Sequence, residues 1–259
     1  MVLFAFSSTP GNGYVISSGD SSAWKSIPEG LSAKIKATAA AGDTVLSVSI
    51  GKDDWFINTS NFVYCCPSGA VTSCLSSAQA QSSNVRLADI EQFVFMPHTP
   101  TGYFCSTAKT SMWSGLPTSM AENLRLSSSK ADIRCVAVGA GEQWIIVRED
   151  NSFAYNGISD DLEKTLKENH AASKTIKYIT FSLDNASYYF VVYKDGSTVH
   201  LSPAAWHPQI KEYIQKSQER DDDDDDDDDD GAALLDLASF NADIQSIRNA
   251  VSSVQMHSI

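Results

Sequence analysis

Short segments in which apolar and polar residues alternate recur five times along the first 216 residues of the chain. Each segment holds two apolar residues two positions apart, which places both side chains on one face of a strand. We therefore predict five β-strands at these places. Their apolar pairs are Phe4 and Phe6, Leu46 and Val48, Phe93 and Phe95, Val136 and Val138, and Ile179 and Phe181.

Two further strands are predicted after each of these segments. A turn rich in Gly, Asp and Asn leads into a β-branched run headed by an aromatic residue, which is typical of a strand. The leading residues are Tyr14, Trp55, Tyr103, Trp144 and Tyr189. A polar turn then leads into a third strand, which carries an aromatic ring nine to eleven residues after the leading one. These rings belong to Trp24, Tyr64, Trp113, Tyr155 and His200.

Each repeat closes with a short helical pattern. A Pro or Ser turn is followed by two apolar residues at positions i and i+4, which form one apolar stripe on a helix. The pairs are Leu31 and Ile35, Val71 and Leu75, Met120 and Leu124, Leu162 and Leu166, and Trp206 and Ile210. A three-stranded unit must bury its two faces against neighbours. The sequence thus predicts a mainly β repeat protein, with residues 1–216 forming a propeller-like ring of five units, each of three strands plus a short helix.

The repeat resembles a known kind of propeller. It is clearest as W-I-I-V-R-E-D-N-S-F-A-Y-N-G-I-S-D-D-L from Trp144 to Leu162 and as M-W-S-G-L-P-T-S-M from Met112 to Met120. This pattern is similar to the divergent propeller-type repeats of fungal proteins, which have a Trp-led strand, a D-G-S turn, a further aromatic residue and an L-P-x-x-L helix. The second repeat departs from it, because residues 61–67 lack the acidic turn. The resemblance implies a fold and says little about activity.

A second architecture fits the same unit. Read cyclically, the order is ββαβ, which resembles the five-fold α/β-propellers that include guanidine-modifying enzymes and a ribosome anti-association factor. Those enzymes use a cysteine nucleophile near the end of the propeller. Here the last cysteine is Cys135, in the fourth repeat. We therefore predict a protein that is not an enzyme and keep an α/β-propeller enzyme as the least favoured alternative. The pattern leaves open whether the units are purely β or mixed with helix.

The C-terminal part differs in composition from the repeats. Ten consecutive aspartates, Asp221 to Asp230, repel one another and bury nothing, so residues 217–231 are predicted to be a disordered acidic linker. Residues 232–259 are predicted to form an amphipathic helix, because apolar residues from Leu237 to Val254 step by three and four. Two interpretations stay open: the helix packs on its own domain, or residues 237–254 form a homo-oligomer that makes the protein multivalent.

Charge and composition exclude several classes of partner. The formal net charge is −13, and it falls to about −3 without the aspartate run. No basic stripe suited to a phosphate backbone is present, so we expect no nucleic-acid partner. No run approaches the roughly 20 apolar residues of a membrane span, and the first residues do not resemble a signal peptide. We expect no membrane partner and a cytoplasmic protein whose five cysteines are reduced.

Motifs for chemistry are missing, so the sequence favours recognition. No phosphate loop, metal-ligand spacing or nucleophile motif occurs, and we predict no catalytic residues, no metal and no cofactor. Aromatic rings near polar turns are a surface on which sugars stack. We predict a lectin-like or small-ligand-binding protein with a glycan or protein partner, or else an intracellular protein-interaction scaffold. The alternative for the rings is ordinary core packing. The predicted ligand-binding residues are Trp24, Trp113, Tyr155, His200, Asp20, Asp150 and Asp195.

Overall fold

A computed structural model describes residues 2–7, 13–19, 21–52, 54–66, 69–80, 87–126 and 132–221. Within these residues, three strands and one helix follow one another five times. The prediction of a mainly β protein with three strands plus a short helix per repeat is confirmed. Each group of three strands forms an antiparallel sheet with the second strand in the middle, and none of these sheets is closed on itself.

The five sheets are numbered in chain order, and each is followed by its helix. Sheet 1 has β1 (Val2–Ser7), β2 (Gly13–Ser18) and β3 (Ser21–Lys25), then α1 (Glu29–Ala40). Sheet 2 has β4 (Val45–Ile50), β5 (Trp55–Thr59) and β6 (Val63–Cys65), then α2 (Gly69–Ala80). Sheet 3 has β7 (Ile90–Phe95), β8 (Tyr103–Thr107) and β9 (Ser111–Ser114), then α3 (Thr118–Leu126). Sheet 4 has β10 (Ile133–Val138), β11 (Trp144–Arg148) and β12 (Phe153–Asn156), then α4 (Asp160–Ala171). Sheet 5 has β13 (Ile176–Phe181), β14 (Tyr189–Tyr193) and β15 (Thr198–Leu201), then α5 (His207–Asp221). Short 3₁₀ helices, Leu87–Asp89 and Ala204–Trp206, precede β7 and α5.

Local sequence explains where the helices begin. The Ser159 hydroxyl accepts a hydrogen bond of 3.3 Å from the Leu162 N–H and so caps the first turn of α4. Three acidic residues in that turn, Asp160, Asp161 and Glu163, favour the same end through the helix dipole. Pro28 directly precedes α1, where its fixed φ suits the start of a helix.

Each helix packs between its own sheet and the next one. Leu31 and Ile35 of α1 contact Val15 in sheet 1 and Ile57 in sheet 2, and all four side chains are buried. Equivalent apolar clusters join sheets 2 and 3, 3 and 4, and 4 and 5. The succession of contacts is cyclic, because a fifth cluster joins sheet 5 and α5 to sheet 1.

Contacts between sheet 5 and sheet 1 are mainly aromatic. The Phe4 and Phe190 rings stack with their centroids 4.6 Å apart. The Trp206 ring lies 4.6 Å from the Tyr14 ring, and the Tyr14 hydroxyl donates a hydrogen bond to Gln209 of α5. Large rings bury much apolar area, so this cluster holds the first and last repeats together.

The first strands of the sheets carry large side chains on one face and small ones on the other. In sheet 4, Ala137 packs on the side of sheet 5 and meets Ile179 and Phe181 of β13. The register places Ala5, Ser49, Val94 and Thr180 at the positions equivalent to Ala137. Small side chains of one sheet therefore face large ones of the next, which lets neighbouring first strands approach closely.

Helix α5 continues through residues 217–221, which the sequence assigned to the acidic linker. Ser217 is buried and its hydroxyl donates to the Ile214 carbonyl, so the chain remains packed beyond residue 216. The chain divides into two units after Asp221. The predicted helix over residues 232–259 and the rest of the linker lie outside the described residues. None of the helices in the described ranges is long and apolar enough to cross a membrane.

Candidate functional site

Four of the predicted ligand-binding residues occupy equivalent positions on the third strands. Trp24 pairs with Val15, Trp113 with Phe104, Tyr155 with Ile145 and His200 with Phe190, and each partner directly follows the leading aromatic residue of its second strand. All four side chains are half-buried. Trp24, Trp113 and Tyr155 pack against the apolar clusters between neighbouring sheets.

The second repeat breaks this register. Tyr64 pairs with Ile57, and Cys65 is the residue that lies opposite Phe56, at the position equivalent to Trp24. Cys65 stands ten residues after Trp55, which matches the spacing of ten or eleven residues in the other repeats. The aromatic ring of Tyr64 therefore faces sheet 1, where Lys34 Nζ lies 4.1 Å from its centroid.

The predicted carboxylates bind their own turns. Asp150 Oδ1 accepts the Ser152 N–H at 2.9 Å, and hydrogen bonds from Ser152 hold the pKa of Asp150 below its ordinary value. Asp195 accepts the N–H and hydroxyl of Ser197 at 2.9 and 2.6 Å, which lowers its pKa, and it pairs with Lys174 Nζ at 3.2 Å. Asp20 lies outside the described residues.

The fold does not bring the predicted carboxylates of Asp150 and Asp195 to the predicted rings of their own repeats. Asp195 precedes β15, whereas His200 is the third of the four residues of that strand. Asp150 likewise precedes β12, and Tyr155 is its third residue. A strand advances about 3.3 Å per residue, so the turn and the aromatic ring lie toward opposite ends of the third strand.

His200 contacts two rings. Its imidazole lies edge-on to Phe190 at 5.3 Å and stacks on His207 at 5.5 Å with an angle of 16° between the planes. Burial lowers the pKa of His200, and the neighbouring His207 lowers it further. The imidazole is therefore held neutral at physiological pH, as a packed ring would be.

Sequence reasoning missed a cavity on which all five first strands converge. This five-strand cavity has a volume of about 240 Å³ and is lined by residues from β1, β4, β7, β10 and β13. Its polar lining includes Ser49, Gln92 and Thr180. Cys135 also lines it. Burial raises the pKa of this thiol to about 12, although a hydrogen bond with the Ile179 backbone acts in the opposite direction.

The strands present an unpaired edge to this cavity, because each first strand pairs with another strand on one side only. Backbone groups of an antiparallel strand point alternately to the two sides. The Gly139 N–H donates to the Gln143 carbonyl at 2.9 Å, so Gly139 and Ala137 face β11, and Val136 and Val138 face the cavity. The same alternation places Val48 and Ile50, Phe93 and Phe95, and Ile179 and Phe181 on the inward edges.

Some inward groups are satisfied by side chains from a neighbouring sheet. Gln92 Nε2 donates to the Val136 carbonyl at 2.8 Å, and the Val136 N–H donates back to Gln92 Oε1 at 3.2 Å. The Tyr178 hydroxyl donates to the Val2 carbonyl at 3.3 Å, and Asn58 Nδ2 to the Ile90 carbonyl at 3.2 Å. These bonds link sheets 3 and 4, 5 and 1, and 2 and 3.

Arg134 is the most connected of these side chains. Its guanidinium donates to the carbonyl of Ile176 in sheet 5 at 3.0 Å, to Asn151 Oδ1 at 3.3 Å, and to the carboxylate and carbonyl of Glu149. Nε also donates to Glu149 at 3.1 Å, so all five N–H groups are used. The Arg134 side chain is only 9% exposed and links sheet 4 to sheet 5.

Other inward backbone groups keep free hydrogen-bonding capacity. Over the described ranges, the inward N–H and C=O groups of Val48 and Phe93 have no protein partner, whereas the Ile179 backbone hydrogen-bonds to the Cys135 side chain. A buried backbone group needs water or a ligand in that case. The cavity can therefore accept a small molecule that both donates and accepts hydrogen bonds. Within the same residues, no group of three His, Cys, Asp or Glu could hold a metal ion.

Comparison with known proteins adds no relative. No protein-family model matches the sequence, and the search of curated proteins found no match.

Proposed function

We propose that residues 2–221 form a propeller-like ring of five units that acts as a non-catalytic recognition protein, with its ligand site in the five-strand cavity. The cyclic order of the contacts supports the ring, since sheet 5 packs on sheet 1 through Phe4, Phe190 and Trp206. The observation that carries the binding role is the convergence of five strand edges whose inward N–H and C=O groups are only partly paired.

The ligand site in this proposal differs from the one that the sequence suggested. The third-strand aromatic rings pack against apolar clusters, and Asp150 and Asp195 are engaged in their own turns. These contacts do not favour a sugar site on the third strands. The cavity instead combines different side chains at equivalent positions, such as Ser49 and Thr180 against Ala5 and Ala137, which favours one asymmetric site for a small glycan or another small polar molecule.

A protein-interaction scaffold is the second candidate, and one feature favours it. A bulge in four first strands places Leu46, Glu91, Arg134 and Lys177 at equivalent positions beside the cavity, and among them the Arg134 side chain is only 9% exposed and bound to its neighbours. Leu46 is 46% exposed, and Glu91 and Lys177 are exposed. A surface with apolar, acidic and basic groups suits a protein partner better than a repeated sugar.

A glycan array and a pull-down separate the two candidates, and a matched pair of variants locates the site. Thr180→Leu narrows the cavity, whereas Thr198→Leu changes a half-buried position on β15 of the same sheet. Because Thr180 is equivalent to Ala137, the two variants are compared at a temperature at which circular dichroism shows both to be folded. For a glycan found on the array, we expect the first change to weaken binding at least about tenfold and the second to leave it unchanged. Equal binding by both variants would place the ligand elsewhere. No bound glycan together with a stoichiometric protein partner would favour the scaffold.

A further inference from the structure

Gln92 shows which chemistry fits the inward edge of a first strand. Its carboxamide lies beside β10 and makes two bonds with one residue: Nε2 donates to the Val136 carbonyl, and Oε1 accepts the Val136 N–H. This is the pair of bonds that a residue of a neighbouring strand would make. The side chain thus takes the place of a strand that the sheet lacks.

Edges without such a side chain offer the same pair of groups. The position equivalent to Gln92 holds Ser47 in β4, Cys135 in β10, Tyr178 in β13 and Leu3 in β1. None of these side chains carries an amide. The Phe93 and Val48 backbones therefore each present a donor and an acceptor side by side, and neither residue's inward groups have a protein partner in the described residues. The Ile179 backbone differs, because it hydrogen-bonds to the Cys135 side chain.

Hydrogen-bond complementarity selects among ligand classes. A carboxylate only accepts and an ammonium only donates, so either would leave half of an edge unpaired. A planar amide presents its donor and acceptor at the separation that Gln92 uses. Arg134 does not recruit an anion, because its five N–H groups are bound to Glu149, Asn151 and Ile176.

The cavity limits the size of the bound group. Its 240 Å³ is below the roughly 300 to 1,000 Å³ of pockets that hold drug-sized ligands. The space therefore suits a small neutral group, such as a primary carboxamide or an acetamido substituent.

We propose that the five-strand cavity binds the amide group of a neutral ligand, which pairs with inward strand edges as Gln92 pairs with Val136. This inference rests on the proposed function and specifies the ligand of that site. The amide can come from a carboxamide side chain or from an N-acetylated sugar, and the experiment distinguishes the two.

The first test titrates the full-length protein with propionamide, propionate and 1-propanol and follows amide chemical shifts by NMR. We expect propionamide to bind at least about tenfold more tightly than the other two, because propionate only accepts and the propanol hydroxyl donates and accepts at a single atom, whereas the amide holds its donor and acceptor on two atoms, as Gln92 does. Thr180→Leu should weaken it, and Thr198→Leu should not. Equal affinity for the three probes would overturn the proposal.

A second test uses Gln92 itself. In Gln92→Ala the Val136 N–H and C=O lose their partner, and the deleted atoms are those of a small carboxamide. We expect propionamide to raise the melting temperature of this variant more than that of the native protein or of Gln215→Ala, in which an exposed helix residue is changed. No selective stabilisation would contradict the proposal. Should Gln92→Ala fail to fold, Gln92→Glu retains the volume, and the NMR titration of the native chain still decides.

The source of the amide is tested with N-acetylglucosamine against glucose, and with glutamine-containing tripeptides against their glutamate counterparts. A preference within one pair identifies that source. A glycan that binds in the cavity with no preference for the acetamido group would overturn the amide inference and leave the proposed function standing. No binding in the cavity by any probe, with no glycan on the array, would remove both.

Discussion

At the scale of residues, Arg134 is the side chain whose loss should most directly weaken the contact between sheets 4 and 5. The ion pair with Glu149 contributes little by itself, because that carboxylate is 52% exposed. The carbonyl groups of Ile176 and Glu149 depend on the guanidinium, and one of them belongs to the next sheet. The loss of these two hydrogen bonds should therefore lower the stability more than the loss of the ion pair.

We expect Arg134→Lys to lower the free energy of unfolding by about 1–2 kcal/mol, because an ammonium has fewer donors and no planar fork. Arg134→Met should lower it by about 3 kcal/mol, because it removes the donor of the Ile176 and Glu149 carbonyl groups. Urea unfolding followed by circular dichroism gives both values. Arg125→Lys, at an exposed position on α3, is the control and should stay within about 0.5 kcal/mol of the native protein. A loss as large in the control would contradict the role of Arg134.

His200 should make stability depend on pH. Burial and His207 lower its pKa in the folded protein, so the unfolded chain binds the proton more readily near the ordinary value of 6.5. The contribution is complete above about pH 6.5 and is lost as the pH falls through the lowered pKa. Melting temperatures from pH 8 to 5 should therefore fall less in His200→Phe than in the native protein. Gln215→Ala, at an exposed site on α5 without a titratable group, should keep the native profile.

Residue spacing predicted some positions and missed others. The ten- or eleven-residue spacing placed four aromatic rings at one register, and the same rule applied strictly would have chosen Cys65 over Tyr64. Gln92 had no signal in the sequence, because its partner Val136 lies 44 residues away. A side chain that binds a neighbouring strand edge is identified only when the order of the sheets is known.

At the scale of elements, the small residues of the first strands should tolerate little added volume. Ala137 is 4% exposed and packs within the cluster that holds Phe181 and Ile179. We expect Ala137→Leu to destabilise the protein by about 1–3 kcal/mol through overpacking. Ala39→Leu, at an exposed position on α1, should have almost no effect. Guanidinium unfolding of both variants checks this, and equal stability would show that the sheets can separate without cost.

The two-residue period predicted that the first strands exist, but it did not predict the register in which they pair. The pair Leu46 and Val48 was aligned with Phe4 and Phe6, whereas the structure aligns Val48 and Ile50 with them. The bulge around Leu46 adds one residue to β4 before the apolar pair and leaves Leu46 exposed. A shift of two residues leaves the same side chains on each face of the strand, so the alternating pattern fits both registers equally well.

At the scale of the whole molecule, Trp206 should matter more than any third-strand ring. It is 4% exposed and contacts Phe4, Phe6 and Tyr14, so it joins α5 to sheet 1. We expect Trp206→Ala to cost about 3–5 kcal/mol of unfolding free energy. Trp113→Ala, at a half-buried position within a single interface, should cost less. Calorimetry measures both, and the reverse order would argue against the importance of the contact between sheets 5 and 1.

Removal of residues 222–259 tests the predicted self-association through residues 237–254. If residues 237–254 self-associate, the full chain will sediment as an oligomer and the shortened chain as a monomer with an unchanged melting temperature. Equal association states would contradict self-association and favour the interpretation in which the helix packs on its own domain. The shortened chain also changes from a net charge of −13 to about −3, so both should be compared at high salt.

The cyclic order of the contacts makes the position of the chain ends arbitrary. Each sheet meets the next through the same combination of a small face, a large face and an intervening helix, and sheet 5 meets sheet 1 in that way too. A circularly permuted gene that starts at β4 and ends after α1, with a linker joining the original ends, would encode all five clusters unchanged. The repeats are thus equivalent as structural neighbours, even though their side chains have diverged.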